Sequence, residues 1–229
     1  AAASAPPVRP GARLAAGFSL VAMAVAAAVA YGMIHGSLVV ADDAAATASN
    51  IATHLGLFRL ETALWFVIVA ADVTVALGLW RLFAPAARSL SRLMAWTRIV
   101  YAGGLAGGAA FLVAASVGTE PLTQIRHFET IWSLALILFG IHLVLLGVLA
   151  LRSGFVPRAG AWLLVFAGLC YAFIHAHQNL GITLTGTAGL IESILAVPMT
   201  LAELWLALWL IATAFGKRGR ARGAAALTR

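Results

Sequence analysis

Four side chains capable of acid-base chemistry interrupt otherwise apolar stretches of this sequence: Asp72, Arg98, His142 and Glu203. An ionisable group in lipid is costly to hold and points to function by default. Arg98 cannot shed its proton, so it needs an anion, and either Asp72 or Glu203 can supply one. His142 is then expected to donate to the remaining acid or to receive its proton. Counted by helical rise from the nearest basic flank, the four lie roughly 9 to 21 Å into the membrane, on four helices, in overlapping layers. Two expectations compete. One is a polar network that only fixes helix register; the other is an intramembrane pocket whose carboxyl group binds or protonates an amphiphile.

A second set gathers toward the opposite ends of the same stretches: His54, Arg59, Glu61, His127, Glu129, His175, His177 and Glu192, with His35 nearby. Imidazole and carboxylate together suit a divalent metal, and three ligands plus water make a hydrolytic centre. The candidate ligands are His127, Glu129, His175, His177 and Glu192. Their spacing argues against a ready-made site, since His175 with His177, and His127 with Glu129, are two residues apart. On a helix that separation turns side chains roughly 200° from each other. No HExxH or CxxC pattern is present. The expectation is therefore no metal and no cofactor, with interfacial histidines and an ion pair between Arg59 and Glu61 or Glu192.

The elements that must position these residues are six apolar stretches: 14–34, 60–79, 93–117, 128–151, 159–175 and 190–215. Each suits a helix crossing a hydrocarbon core roughly 30 Å thick. Hydrophobic residues make up 62% of the chain and charged ones 10%, so the outer surface must face lipid. Twelve basic residues flank one side of this pattern: Arg9, Arg13, Arg81, Arg88, Arg92, Arg152, Arg158, Lys217, Arg218, Arg220, Arg222 and Arg229. Only Arg59 and Arg126 flank the other, so both termini are expected in the cytoplasm. The formal charge of +7 is spread over four segments without a recognition motif, which excludes nucleic acid and favours anionic lipid headgroups at the cytoplasmic face. A first stretch longer than a signal-peptide core reads as a membrane anchor. The lone Cys170 excludes an intrachain disulfide and a multi-cysteine metal site.

Most connections are too short for a soluble domain. Residues 1–13 read as a flexible cytoplasmic extension, 14–216 as the six-helix domain and 217–229 as a basic cytoplasmic tail. Asp42 and Asp43 followed by apolar residues at helical spacing predict an amphipathic helix on the outer surface over about 43–58. The RSGFVPR segment, 152–158, predicts a tight turn between antiparallel neighbours. Gly103, Gly104, Gly107 and Gly108 form overlapping GxxxG patterns for close helix approach, and a homo-oligomer through the Gly103/Gly107 face is a further expectation. Pro198 predicts a kink. The seven tryptophans are expected mostly near span ends, as an aromatic belt. No phosphate loop or serine nucleophile elbow appears in a plausible context.

The segments DAAATASNIATHLGLFRL (43–60), FGIHLVLLGVLALRSGFVP (139–157) and ELWLALWL (203–210) resemble an uncharacterised bacterial family of six-helix integral membrane proteins, a domain of unknown function. The resemblance implies the all-α polytopic fold and a bacterial cytoplasmic membrane, and supplies no activity. Three classes of function fit the residues: a binding or accessory protein for a hydrophobic or amphiphilic small molecule, held by Asp72, Arg98, His142 and Glu203; an intramembrane enzyme acting on a lipid or isoprenoid, with Asp72 or Glu203 as acid and His142 as proton partner; and a proton-coupled carrier using the same groups as a relay.

Overall fold

The structure, a computed structural model, describes residues 10–181 and 188–227, with side chains as far as Phe215. It is all-α, with six helices long and apolar enough to cross a membrane, which makes the protein a multi-pass membrane protein. The spans are α1 (Pro10–Leu38), α3 (Leu55–Phe83), α4 (Arg88–Ala115), α5 (Pro121–Ser153), α6 (Arg158–Asn179) and α7 (Ala188–Leu227). A short helix, α2 (Ala44–Thr53), joins the first two spans. Each span packs beside its sequence neighbours and α7 returns to α1, so the six close into a ring with their inward faces sharing one core.

Most helices start earlier or end later than the apolar stretches, because backbone hydrogen bonding carries them past the first charged residue. The helix containing Leu60 starts at Leu55, and the one containing Phe128 starts at Pro121, where a missing N–H costs nothing. The expected extension over residues 1–13 lies outside the described residues as far as residue 9, and from Pro10 it is already helical. Arg13, expected as a basic flank of the first span, is only 2% exposed. Side chains of the tail over 217–229 also lie outside the described residues. The amphipathic helix expected on the outer surface over 43–58 is shorter than that: it ends at Thr53, and residues from Leu55 belong to α3. Asp43 caps it by accepting the Ala46 N–H at 2.8 Å, and Thr47 and Ile51 form its buried side.

In lipid, helices associate through close packing and polar contacts rather than water exclusion. The tightest backbone-to-backbone approach is between α5 and α6. A Cβ on Gly168 would lie 2.5 Å from the Gly140 carbonyl oxygen, and one on Gly147 would lie 2.7 Å from that of Ala161. Gly154 ends α5 at φ 70°, a left-handed cap that suits glycine and turns the chain into α6. The GxxxG pattern on α4 packs only on its Gly104/Gly108 face, against Ala135 and Phe128; added Cβ atoms on Gly103 and Gly107 would meet open space.

Near the end of α1 the chain widens into a π-helix over Ala28–His35. Such a wide turn re-aims the side chains beyond it. Here the buried residues of the segment are Ala30, Ile34 and His35, so His35 is directed into the bundle.

Candidate functional site

Arg98 is held at the centre of the ring by four helices. Its Nη2 lies 2.6 Å from Asp72 Oδ1 on α3 and 3.8 Å from Met23 Sδ on α1. Its Nη1 lies 3.2 Å from His142 Nε2 on α5, and its Cζ sits 5.1 Å from the centroid of the Phe139 ring. Asp72, Arg98 and His142 are all fully buried. The ion pair is close but not aligned as a hydrogen bond, and neither Asp72 oxygen has an aligned donor among the described residues. Of the two acids expected to serve Arg98, Asp72 does so.

His142 differs from expectation. Its Nδ1 lies 2.9 Å from the Met94 carbonyl oxygen, which can only accept, so Nδ1 carries the hydrogen. Its Nε2 faces Arg98, which can only donate, so Nε2 accepts. The ring is therefore neutral and orients the guanidinium; neither nitrogen contacts an acid. An imidazolium would present an N–H to another N–H. The reason is rotational: Asp72 and Arg98 meet first, and His142 approaches from the far side of Arg98.

Glu203 stands apart from this network, at the inner wall of a cavity of about 330 Å³. It accepts a hydrogen bond from Tyr171 Oη at 2.7 Å. The cavity is otherwise lined by apolar and aromatic groups, among them Trp65, Trp132, Tyr101 and Phe139, with Thr200 toward its mouth. Ala24 and Ala28 on α1 and Thr200 and Leu204 on α7 line it and are exposed on the outer surface of the bundle, so it opens sideways between the first and last spans. Trp65 is 1% exposed, and its indole N–H has no acceptor among the described residues. An orphan donor in the wall of a cavity is a group awaiting a partner.

Trp65 and Trp132 therefore line the interior rather than a lipid-facing belt; Trp96 and Trp162 do face outward, at 63% and 61% exposure. The helices carrying Trp65 and Trp132 begin well before those residues, which places them deeper than the apolar stretches indicate.

The second set is dispersed into pairs. His35 bridges two acids, with Nδ1 2.8 Å from Glu61 Oε1 and Nε2 3.2 Å from Glu129 Oε1. The expected Arg59–Glu61 pair does not form. Two residues apart on α3, they face opposite ways: Glu61 is fully buried and Arg59 exposed. His177 Nε2 lies 3.3 Å from Glu192 Oε1. His175 Nδ1 contacts the Ser133 hydroxyl at 3.0 Å, and His127 packs edge-on to Phe111. His54 is exposed. Among the described residues, no group of three or more His, Cys, Asp or Glu is arranged to hold a metal ion.

A column of rings runs from His35 to the wall of the cavity. His35 stacks on Tyr31 at 4.8 Å, Tyr31 meets Trp132 at 5.0 Å, and Trp132 meets Trp65 at 4.7 Å. Tyr171 is the site residue that spacing alone misses, while His35, placed beside the second set, takes both Glu61 and Glu129 as partners. A tyrosine inside an apolar span carries the signal, because its hydroxyl must find an acceptor.

Comparison with known proteins matches residues 15–214 to the family described as a domain of unknown function (DUF4386). A stretch of 93 residues is 41% identical to an uncharacterized protein of Archaeoglobus fulgidus, covering 41% of this chain and 51% of that protein. The aligned stretch thus spans about half the length of that relative. No solved structure matches.

Proposed function

Since the chain belongs to the DUF4386 family, whose description supplies no activity, we propose from the site itself that it binds a hydrophobic or amphiphilic small molecule in the lateral cavity, with Glu203 as the polar contact. The observation that carries this reading is the pairing of an apolar, sideways-opening cavity with a single carboxylate at its inner wall. At about 330 Å³ the cavity is at the small end of ligand pockets, roughly 300 to 1,000 Å³. It suits a head group and the first part of a chain, the remainder lying in lipid between α1 and α7. We place the protein in a cytoplasmic membrane, with its Arg-rich end toward the cytoplasm and anionic headgroups there.

The enzyme reading requires an acid and a base that exchange a proton. With His142 turned to Arg98 and Met94, Glu203 has, among the described residues, the Tyr171 hydroxyl as its hydrogen-bond partner. That arrangement favours binding over turnover. A carrier requires a polar path to both ends of the bundle, and between Glu203 and the His35 layer stand Trp65, Trp132 and Tyr31.

Tryptophan fluorescence tests the proposal directly, since Trp65 and Trp132 line the cavity. A brominated alkyl amphiphile should quench the purified protein saturably, and Ala27→Phe, which fills the cavity from α1, should abolish the saturable part. Quenching that rises linearly in both proteins would refute the pocket.

A further inference from the structure

We infer that the head group admitted by this cavity is a monocation, an amine or quaternary ammonium borne on an apolar chain. The inference rests on the pocket proposed above and names the chemistry of its ligand. Asp72 and Arg98 cancel as an ion pair. His142 is neutral, because its two nitrogens face a pure acceptor and a pure donor. Glu203 remains, and its partner Tyr171 is a neutral donor. The central layer thus carries one carboxylate that no side chain of the layer neutralises. Glu203 is half-buried, a carboxylate in apolar surroundings requires a counter-charge, and the space beside Glu203 is the cavity.

The walls select among counter-charges. Trp65, Trp132, Tyr101, Phe139 and Tyr171 line the same cavity as Glu203. Aromatic rings around a carboxylate make the setting in which organic ammonium groups are recognised, through attraction to the ring faces. Among the described residues, an anionic head group would find no free cation at this depth. Arg98 is fully buried and already faces Asp72, His142, Met23 and Phe139. The small residues Ala24 and Ala28 at the mouth leave room for an alkyl chain to pass from lipid.

The test uses the full chain in a neutral, bulky detergent, with three probes of equal chain length: dodecyltrimethylammonium, dodecanol and dodecyl sulfate. Affinity is read from saturable change in tryptophan fluorescence, and folding from circular dichroism. The cation should bind wild type roughly tenfold or more tighter than dodecanol. Glu203→Gln should bring that ratio close to one while dodecanol binding persists. Should Glu203→Gln not fold, Trp132→Leu serves instead and should lower the ratio by removing one wall ring. Equal binding of cation and alcohol to wild type would overturn the cation and leave the pocket standing, the carboxyl group then being met by a proton. Preference for the sulfate would overturn it too. No saturable binding of any probe would remove the pocket, and the inference with it.

Discussion

Replacing Arg98 by leucine should strand Asp72, which is fully buried and has no other cation beside it among the described residues. With charge centres about 4 Å apart and an effective dielectric of about 20, the lost attraction is about 4 kcal/mol. That agrees with the roughly 3 to 5 kcal/mol typical of breaking one side of a buried pair. Asp72→Leu should cost a similar amount by stranding the guanidinium. The double replacement should be far milder than the sum, since exchanging a whole buried pair for apolar residues is often near neutral. It should not be free, because the His142 Nε2 lone pair loses its donor, a loss of about 1 to 3 kcal/mol. Reversible unfolding in mixed micelles of dodecyl maltoside and SDS, followed by far-UV circular dichroism, gives the four free energies of the cycle. The expected coupling is several kcal/mol. Single losses that add to within about 0.5 kcal/mol would show no coupling and refute the Arg98–Asp72 pairing.

Gly168→Val should loosen α5 from α6 and lower stability by at least about 1 to 3 kcal/mol in the same assay, because even its Cβ would lie 2.5 Å from the Gly140 carbonyl oxygen; Gly103→Val, facing open space, is the neutral control. Single cysteines at Ser49 or Thr123, in a background with Cys170 replaced, should react with an impermeant thiol reagent applied outside intact cells, while those at Ser89 or Ser153 should not; reversed labelling would invert the orientation. Elemental analysis of protein purified without added metal should find no stoichiometric zinc, copper or iron, since the histidines are engaged in separate pairs; metal lost on changing His175 and His177 to alanine would revive a metal centre.

The number of spans is legible in the sequence because a bilayer demands about 20 apolar residues per crossing and tolerates little else. The need of Arg98 for an acid is legible for the same reason. Depth along each helix can be counted, but rotation about the helix axis cannot, which is why Asp72 and Glu203 look equivalent in sequence and His142 looks like a partner for either. Rotation also separates Glu61 from Arg59, its near neighbour in the chain. The π-helical segment that turns His35 inward leaves no periodic trace in Ala28–His35. The GxxxG pattern on α4 is the more conspicuous, yet the closest backbone-to-backbone approach is made by Gly140, Gly147 and Gly168. Gly140 and Gly147, seven residues apart and so on one face, are the signal that was there to be used.

Occupancy of the lateral cavity is the central claim, and native mass spectrometry of protein extracted in mild detergent measures it most directly. Wild type should retain one small amphiphile per chain, and Ala27→Phe, which fills the cavity without replacing Arg98 or any of its partners, should retain none. Equal retention by both proteins, or a bare wild-type chain that takes up no added amphiphile, would contradict the account.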